Sequence, residues 1–157
     1  MSPDPRSLRG RLHTLRKHVR SLSDALLVLR LLAWRLALAV LKRTVPITTL
    51  VRWMARPGGS SAADNHRIVE LVDWLYAPRG DRDLGNCLDR SLVLYRYLSR
   101  NEPGTRLVLG MRRGSSELEG HAWVIAGNRS IGETPADGGG FVPLATFAAD
   151  GRRLEAH

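Results

Sequence analysis

Apolar residues recur at helical spacing through the first two thirds of the chain and at a spacing of two through the last third. Leu8, Leu12, Leu15 and Val19 mark a short basic helix or arm over residues 6–20, weakened by Gly10. Asp24 serves as an N-terminal turn residue for the next helix, predicted to run to about Lys42. From Ala25 to Leu41 that helix is apolar except for Arg30 and Arg35. Pro46 starts a further short helix over Ile47–Met54, and Arg56-Pro57-Gly58-Gly59-Ser60-Ser61 then breaks the pattern. Asp64 and Asn65 stand where they cap a helix over about 66–77, whose apolar stripe is Ile68, Val69, Leu71, Val72 and Leu75. A loop dense in proline, glycine and charge follows, from Ala77 to Asn86. The next helix is predicted from Cys87 to about Arg100, with Leu88, Leu92, Tyr95 and Leu98 or Ser99 on one face.

After Asn101-Glu102-Pro103-Gly104 the period drops to two. Arg106–Arg112 places Leu107, Leu109 and Met111 on one side of a strand, and residues 121–126 form a second. Gly127-Asn128 mark a hairpin turn into a third strand at about 129–133. Pro135 to Gly140 reads as a loop, and 141–148 as a short closing element whose type the pattern does not decide. Helices first and strands later predict an α+β fold, an antiparallel sheet packed on helices.

Composition adds an asymmetry that periodicity does not show. The 157 residues carry a formal charge of +9 and are 43% hydrophobic, enough for a core. Residues 1–56 hold 12 basic and 2 acidic side chains, net +10, and residues 57–157 hold 12 and 13, net −1. The chain therefore divides into a basic, Leu/Arg-rich helical extension (1–56) and a nearly neutral domain (57–157). Such an extension suits nucleic acid, an anionic membrane surface, or an acidic protein or peptide. No helix-turn-helix pattern is evident, and the charge lies away from the half that carries the motifs, so nucleic acid is not expected as a partner. No secretory signal is apparent at the start, which makes the cytoplasm the expected location. Transmembrane insertion of 25–41 is close to neutral: eight Leu and two Val contribute about −0.3 to −0.6 kcal/mol each, and two central Arg cost about 2.5–3.5 each. The expected alternatives are burial or a peripheral membrane contact through residues 22–43, with both guanidinium groups snorkelling outward.

One cysteine excludes a disulfide framework and a multi-cysteine zinc site, and nothing in the sequence calls for a cofactor or metal. Cys87 is that cysteine. It stands at a predicted helix start after a glycine-containing loop, where backbone N–H groups and the helix dipole favour negative charge on sulfur and can hold an oxyanion. A nucleophile of this kind needs a base. His13 and His18 lie in the basic arm, His66 opens a helix and His157 is the last residue, which leaves His121 at the start of a strand. Glu133 lies twelve residues further on, across the same hairpin. It shares a face with His121 if the loop is the three residues Ala126-Gly127-Asn128; a two-residue Gly127-Asn128 loop would turn it to the other face. Asp137 is the fallback acid, beyond Pro135. Trp123 and Tyr95 read as core or pocket wall, and Asp89, Arg90 and Arg96 as a helix-surface charge set.

The stretch Asn86-Cys87-Leu88-Asp89-Arg90-Ser91-Leu92-Val93-Leu94-Tyr95-Arg96, with the later Leu107–Arg112 and His121-Ala122-Trp123-Val124, resembles the leader peptidases of lasso peptide biosynthesis, the transglutaminase-like "B" proteins. The resemblance covers about residues 65–148 and is to the split form, which lacks the leader-recognition domain. It implies a papain-like or transglutaminase-like core, a helix bearing Cys packed on an antiparallel sheet bearing His and acid. Cys87 then matches the nucleophile and His121 the general base, while Glu133 falls where many members have Asp. The implied helix-start oxyanion donors have Asn86 beside them. The implied partners are a precursor peptide, a separate leader-recognition protein and a macrolactam synthetase. Two other readings compete: a transglutaminase-like acyl transferase, and a non-enzymatic basic helical binding module.

Overall fold

The computed structural model describes residues 21–58, 64–76, 87–114, 117–131 and 140–155. The predicted basic arm over 6–20 lies outside these residues, as does the predicted loop 77–86. Among the described residues the order is α1 (Leu22–Thr44), α2 (Ile47–Met54), α3 (Asn65–Tyr76), α4 (Cys87–Asn101), β1 (Arg106–Arg113), β2 (Leu118–Ala126), β3 (Arg129–Ile131), β4 (Val142–Phe147) and β5 (Arg153–Leu154). This is the α+β order that the change of period predicts. The closing element is β4, and β5 was not predicted, since two residues carry too little pattern to register.

Local chemistry sets the helix ends. The cap of α1 is Ser21, extended at φ −143°, whose hydroxyl accepts from the Asp24 N–H at 3.1 Å. Asp24 itself is held by the Arg67 guanidinium at 3.1 and 3.2 Å, tying α1 to α3. Asp64 accepts from the His66 N–H at 3.3 Å at the start of α3. Among the described residues no helix is long and apolar enough to cross a membrane.

Helix α4 is the centre of the molecule. From Ser91 to Ser99 every residue except Arg96 is buried, because α1, α2 and α3 pack around it and β1 and β2 close the remaining side. The core joins Leu27, Leu31 and Leu38 of α1 and Leu50, Val51 and Met54 of α2 to Leu92, Tyr95, Leu98, Leu107 and Val124. Apolar packing is thus continuous from the basic amino-terminal helices to the sheet.

Central burial corrects one member of the expected surface charge set on α4. Asp89 is 5% exposed, and the Lys42 ammonium of α1 donates to its Oδ2 at 2.9 Å. Arg90 donates to Asp73 at 2.6 Å, and Arg96 lies 4.1 Å over the Trp34 ring while donating to the Trp53 carbonyl. Arg35 is also corrected. It does not snorkel outward but donates to the Leu75 carbonyl at 2.6 Å and lies over the Tyr76 ring. Arg30 is exposed, as predicted.

The sheet is antiparallel, in the order β3-β2-β1-β4-β5. Leu107 and Leu109 pair with Val124 and Ala122, and together with Ala126, Ala145 and Phe147 they face the helices. Strand alternation puts Val108, Gly110, His121 and Trp123 on the other face. The hairpin turns at Gly127-Asn128, as the sequence predicts, and not through the three-residue alternative. Ala126 pairs with Arg129, so the turn is Gly127-Asn128, with positive φ at Gly127 (59°) only, as in a type II′ turn.

The turn between β4 and β5 is seated on α2. Gly151 has φ +81°, and a Cβ there would stand 3.0 Å from the Arg52 Cα and 3.1 Å from the Ala55 Cβ. The Tyr95 hydroxyl donates to the Ala148 carbonyl in the same turn. Burial pushes the Tyr95 phenol up to about 12, and burial followed by the nearby Asp89 carboxylate does the same to Tyr76. In the unfolded chain both ionise near 10. Their contribution to stability is therefore complete below about pH 10 and is lost as pH rises toward 12, about 2–3 kcal/mol for each tyrosine. Urea unfolding at pH 8, 10 and 11.5 should show this loss, and Tyr76→Phe should remove close to half of it. At pH 8 that substitution should be neutral or stabilising, since the buried Tyr76 hydroxyl has no hydrogen-bond partner among the described residues.

Candidate active site

Cys87 is the first residue of α4 and is half-buried. The first N–H groups of an α-helix have no intrahelical acceptor, so the sulfur stands among donors suited to developing negative charge. Chain direction brings His121 to the same end. Helix α4 ends at Asn101 and returns through a tight turn, with the Thr105 N–H on the Glu102 carbonyl at 3.0 Å. β1 then runs back along the helix, and β2, antiparallel to β1, runs with it. Gly110, midway along β1, pairs with His121, which sets the backbone of His121 toward the amino end of α4.

One hydrogen bond fixes this register. The Ser91 hydroxyl donates to the Ala122 carbonyl at 2.8 Å and is fully buried. Ser91 is one turn, about 5.4 Å, from Cys87, and Ala122 is one strand residue, about 3.4 Å, from His121. The contact falls beyond the last β2–β3 pair at Val124, where β2 has a strand on one side only among the described residues.

The imidazole is set among rings. His121 stacks on Trp123 with centroids 5.9 Å apart and planes at 21°, and meets Phe141 at 5.1 Å. The Arg112 guanidinium lies 4.6 Å over Phe141 and pairs with Glu119 at 2.7 Å. Gly110 makes room for this stack. A Cβ there would meet the Trp123 ring at 2.9 Å and the Val142 carbonyl at 3.0 Å, beside the bulge between β1 and β4. Gly110→Ala should therefore displace Trp123 and, through it, His121. The expected result is at least a tenfold loss of activity with a stability cost of about 1–3 kcal/mol, read by turnover and urea melts on the same preparation.

The other predicted site residues, Glu133, its alternative Asp137, and Asn86, lie outside the described residues. The condition set for Glu133 to share a face with His121 was the three-residue loop, and the two-residue Gly127-Asn128 turn does not meet it. Sequence reasoning missed Ser91, Phe141 and Gly110. A glycine inside an alternating strand was the available signal for Gly110; a serine one turn after the cysteine gives none until the strand is in place.

The family model of the transglutaminase-like superfamily matches residues 25–146, beginning inside α1 and ending in β4. The match includes Cys87 and His121 and starts well before residue 65, so it takes in the Arg- and Leu-rich helix in front of the motifs as well. No curated protein matches the chain, and no solved structure does. With a cysteine at the start of its central helix, a histidine on the strand tied to that helix, and a family match across most of its length, the chain belongs to the transglutaminase-like superfamily.

Proposed function

We propose that this chain is a thiol peptidase that removes the leader from a lasso peptide precursor, freeing the core amine for macrolactam closure by a partner synthetase. The observation that best supports this reading is the Ser91–Ala122 tie, which joins the helix that begins at Cys87 to the strand that carries His121. Membership of a superfamily built largely of cysteine enzymes supports it, as does the Asn86–Arg96 and His121–Val124 resemblance.

In this mechanism His121 takes the proton of the Cys87 thiol, and the thiolate attacks the scissile carbonyl at the leader–core junction. Backbone N–H groups of the first turn of α4 hold the oxyanion, with the Asn86 amide beside them. The tetrahedral intermediate collapses as His121 passes its proton to the departing core amine, leaving the leader as a thioester on Cys87. Water, deprotonated by His121, then releases the leader carboxylate and restores the thiol. The acid that orients the imidazole and balances its charge in the protonated state is Asp137, or Glu133 where the chain leaves the β2 pairing beyond Ile131. Leader capture falls to a separate recognition protein.

The test is mass spectrometry of a precursor incubated with the full chain and a recognition protein. Hydrolysis yields leader and core whose masses sum to that of the precursor plus one water. An amine adduct of the leader would instead establish acyl transfer. An intact precursor under every pairing of partners would overturn the peptidase reading.

A further inference from the structure

Helix α1 is apolar on two opposite sides. Leu27, Val28, Leu31 and Leu38 are buried in the core, while Leu22, Leu26, Leu29, Leu32, Leu36 and Val40 lie on the outside. The outward set is heavily exposed, with Leu22 at 86%, Leu36 at 73% and Leu29 and Val40 at 63%. At 100° per residue it covers an arc of about 120°, along a helix about 34 Å long. The inner face is fixed by packing, so this outer face is held rigidly in place.

Charge discriminates among occupants. Arg30 is exposed beside the stripe and Arg43 is exposed at its carboxyl end. The single carboxylate of α1, Asp24, is turned inward onto Arg67. The twenty residues that precede Ser21 carry six Arg or Lys and one Asp. Leu22, Leu29 and Leu36 fall every seven residues, the spacing of a coiled-coil seam, with Arg30 beside it. A second copy of α1 would offer Arg30 and Arg43 no carboxylate, since Asp24 is held by Arg67. Anionic lipid would neutralise those groups while accepting the leucines, and Arg30 and Arg43 have the reach to hold phosphates at the boundary.

We infer that the outer face of α1 docks on an anionic membrane surface, lying in its plane with Leu22, Leu29, Leu36 and Val40 in the acyl region. This places the enzyme peripherally on a bilayer and does not depend on the peptidase reading.

The experiment floats the full chain with large unilamellar vesicles of phosphatidylcholine and phosphatidylglycerol at 3:1, and of phosphatidylcholine alone. Binding to the anionic vesicles is expected at least about tenfold tighter than to the neutral ones, weakening as salt is raised from 50 to 500 mM. Leu29→Glu/Leu36→Glu should lower it at least tenfold with an unchanged circular dichroism melt, since both side chains are on the surface. Absence of binding to anionic vesicles overturns the inference. So does binding that survives the double substitution in full, which would assign it to the basic arm. A dimer by light scattering that the double substitution dissociates, without vesicle binding, would assign the face to a second copy.

Discussion

A Cys87→Ala protein should release no detectable leader, at least about a thousandfold slower than the parent chain, while keeping its melting transition. The loss is expected to be this large because no other residue can take over: the chain has one cysteine, and the helix start presents its donors at that position alone. Stability should hold because the thiol is only half-buried and Cys87 is not a member of the apolar core around α4. Single-turnover cleavage, read by mass spectrometry beside a urea melt, separates the two effects. Wild-type cleavage by Cys87→Ala would remove the thioester route entirely. A lost melt would instead give Cys87 a structural role.

The second large effect is on stability. Lys42→Ala should cost about 2–4 kcal/mol, because it strands the Asp89 carboxylate at 5% exposure with its Oδ1 already lacking a partner among the described residues. The double variant Lys42→Ala/Asp89→Asn should recover much of that loss, since the amide carries no charge to desolvate. Urea unfolding of the two single variants and the double closes the cycle, and purely additive costs would show that the pair is not coupled. Because Asp89 lies in the first turn of α4, the same singles should lower turnover, whereas Arg43→Ala, exposed one residue away, should alter neither quantity.

The helices and the first two strands were legible because each shows one period over enough residues. The stripe Ile68–Leu75 and the alternation Leu107–Leu109–Met111 sit on the predicted faces. Asp89 and Arg35 were misplaced for a common reason. Periodicity assigns one buried face to a helix, whereas α4 is enclosed on all sides and α1 has packing partners on the side that carries Arg35. A charge on such a helix is read as solvated until its partner, here Lys42 or the Leu75 carbonyl, is brought from more than thirty residues away. The hairpin shows the limit of counting. Two-residue and three-residue loops share the same Gly-Asn signal, and only pairing decides which face each later residue takes. The nucleophile and base were named from residue type and order, but the serine that ties their elements together is visible only in three dimensions.

The seat of the β4–β5 turn on α2 bears on the order of assembly. The ribosome makes the amino-terminal helices first, yet the surface that closes over Arg52 and Ala55 is Gly151, about a hundred residues later in the chain. Those helices emerge with leucines on both sides, and α2 lacks this cover until the β4–β5 turn has been made. A chain stopped at position 148 would lose that turn and leave its oldest part without the clasp.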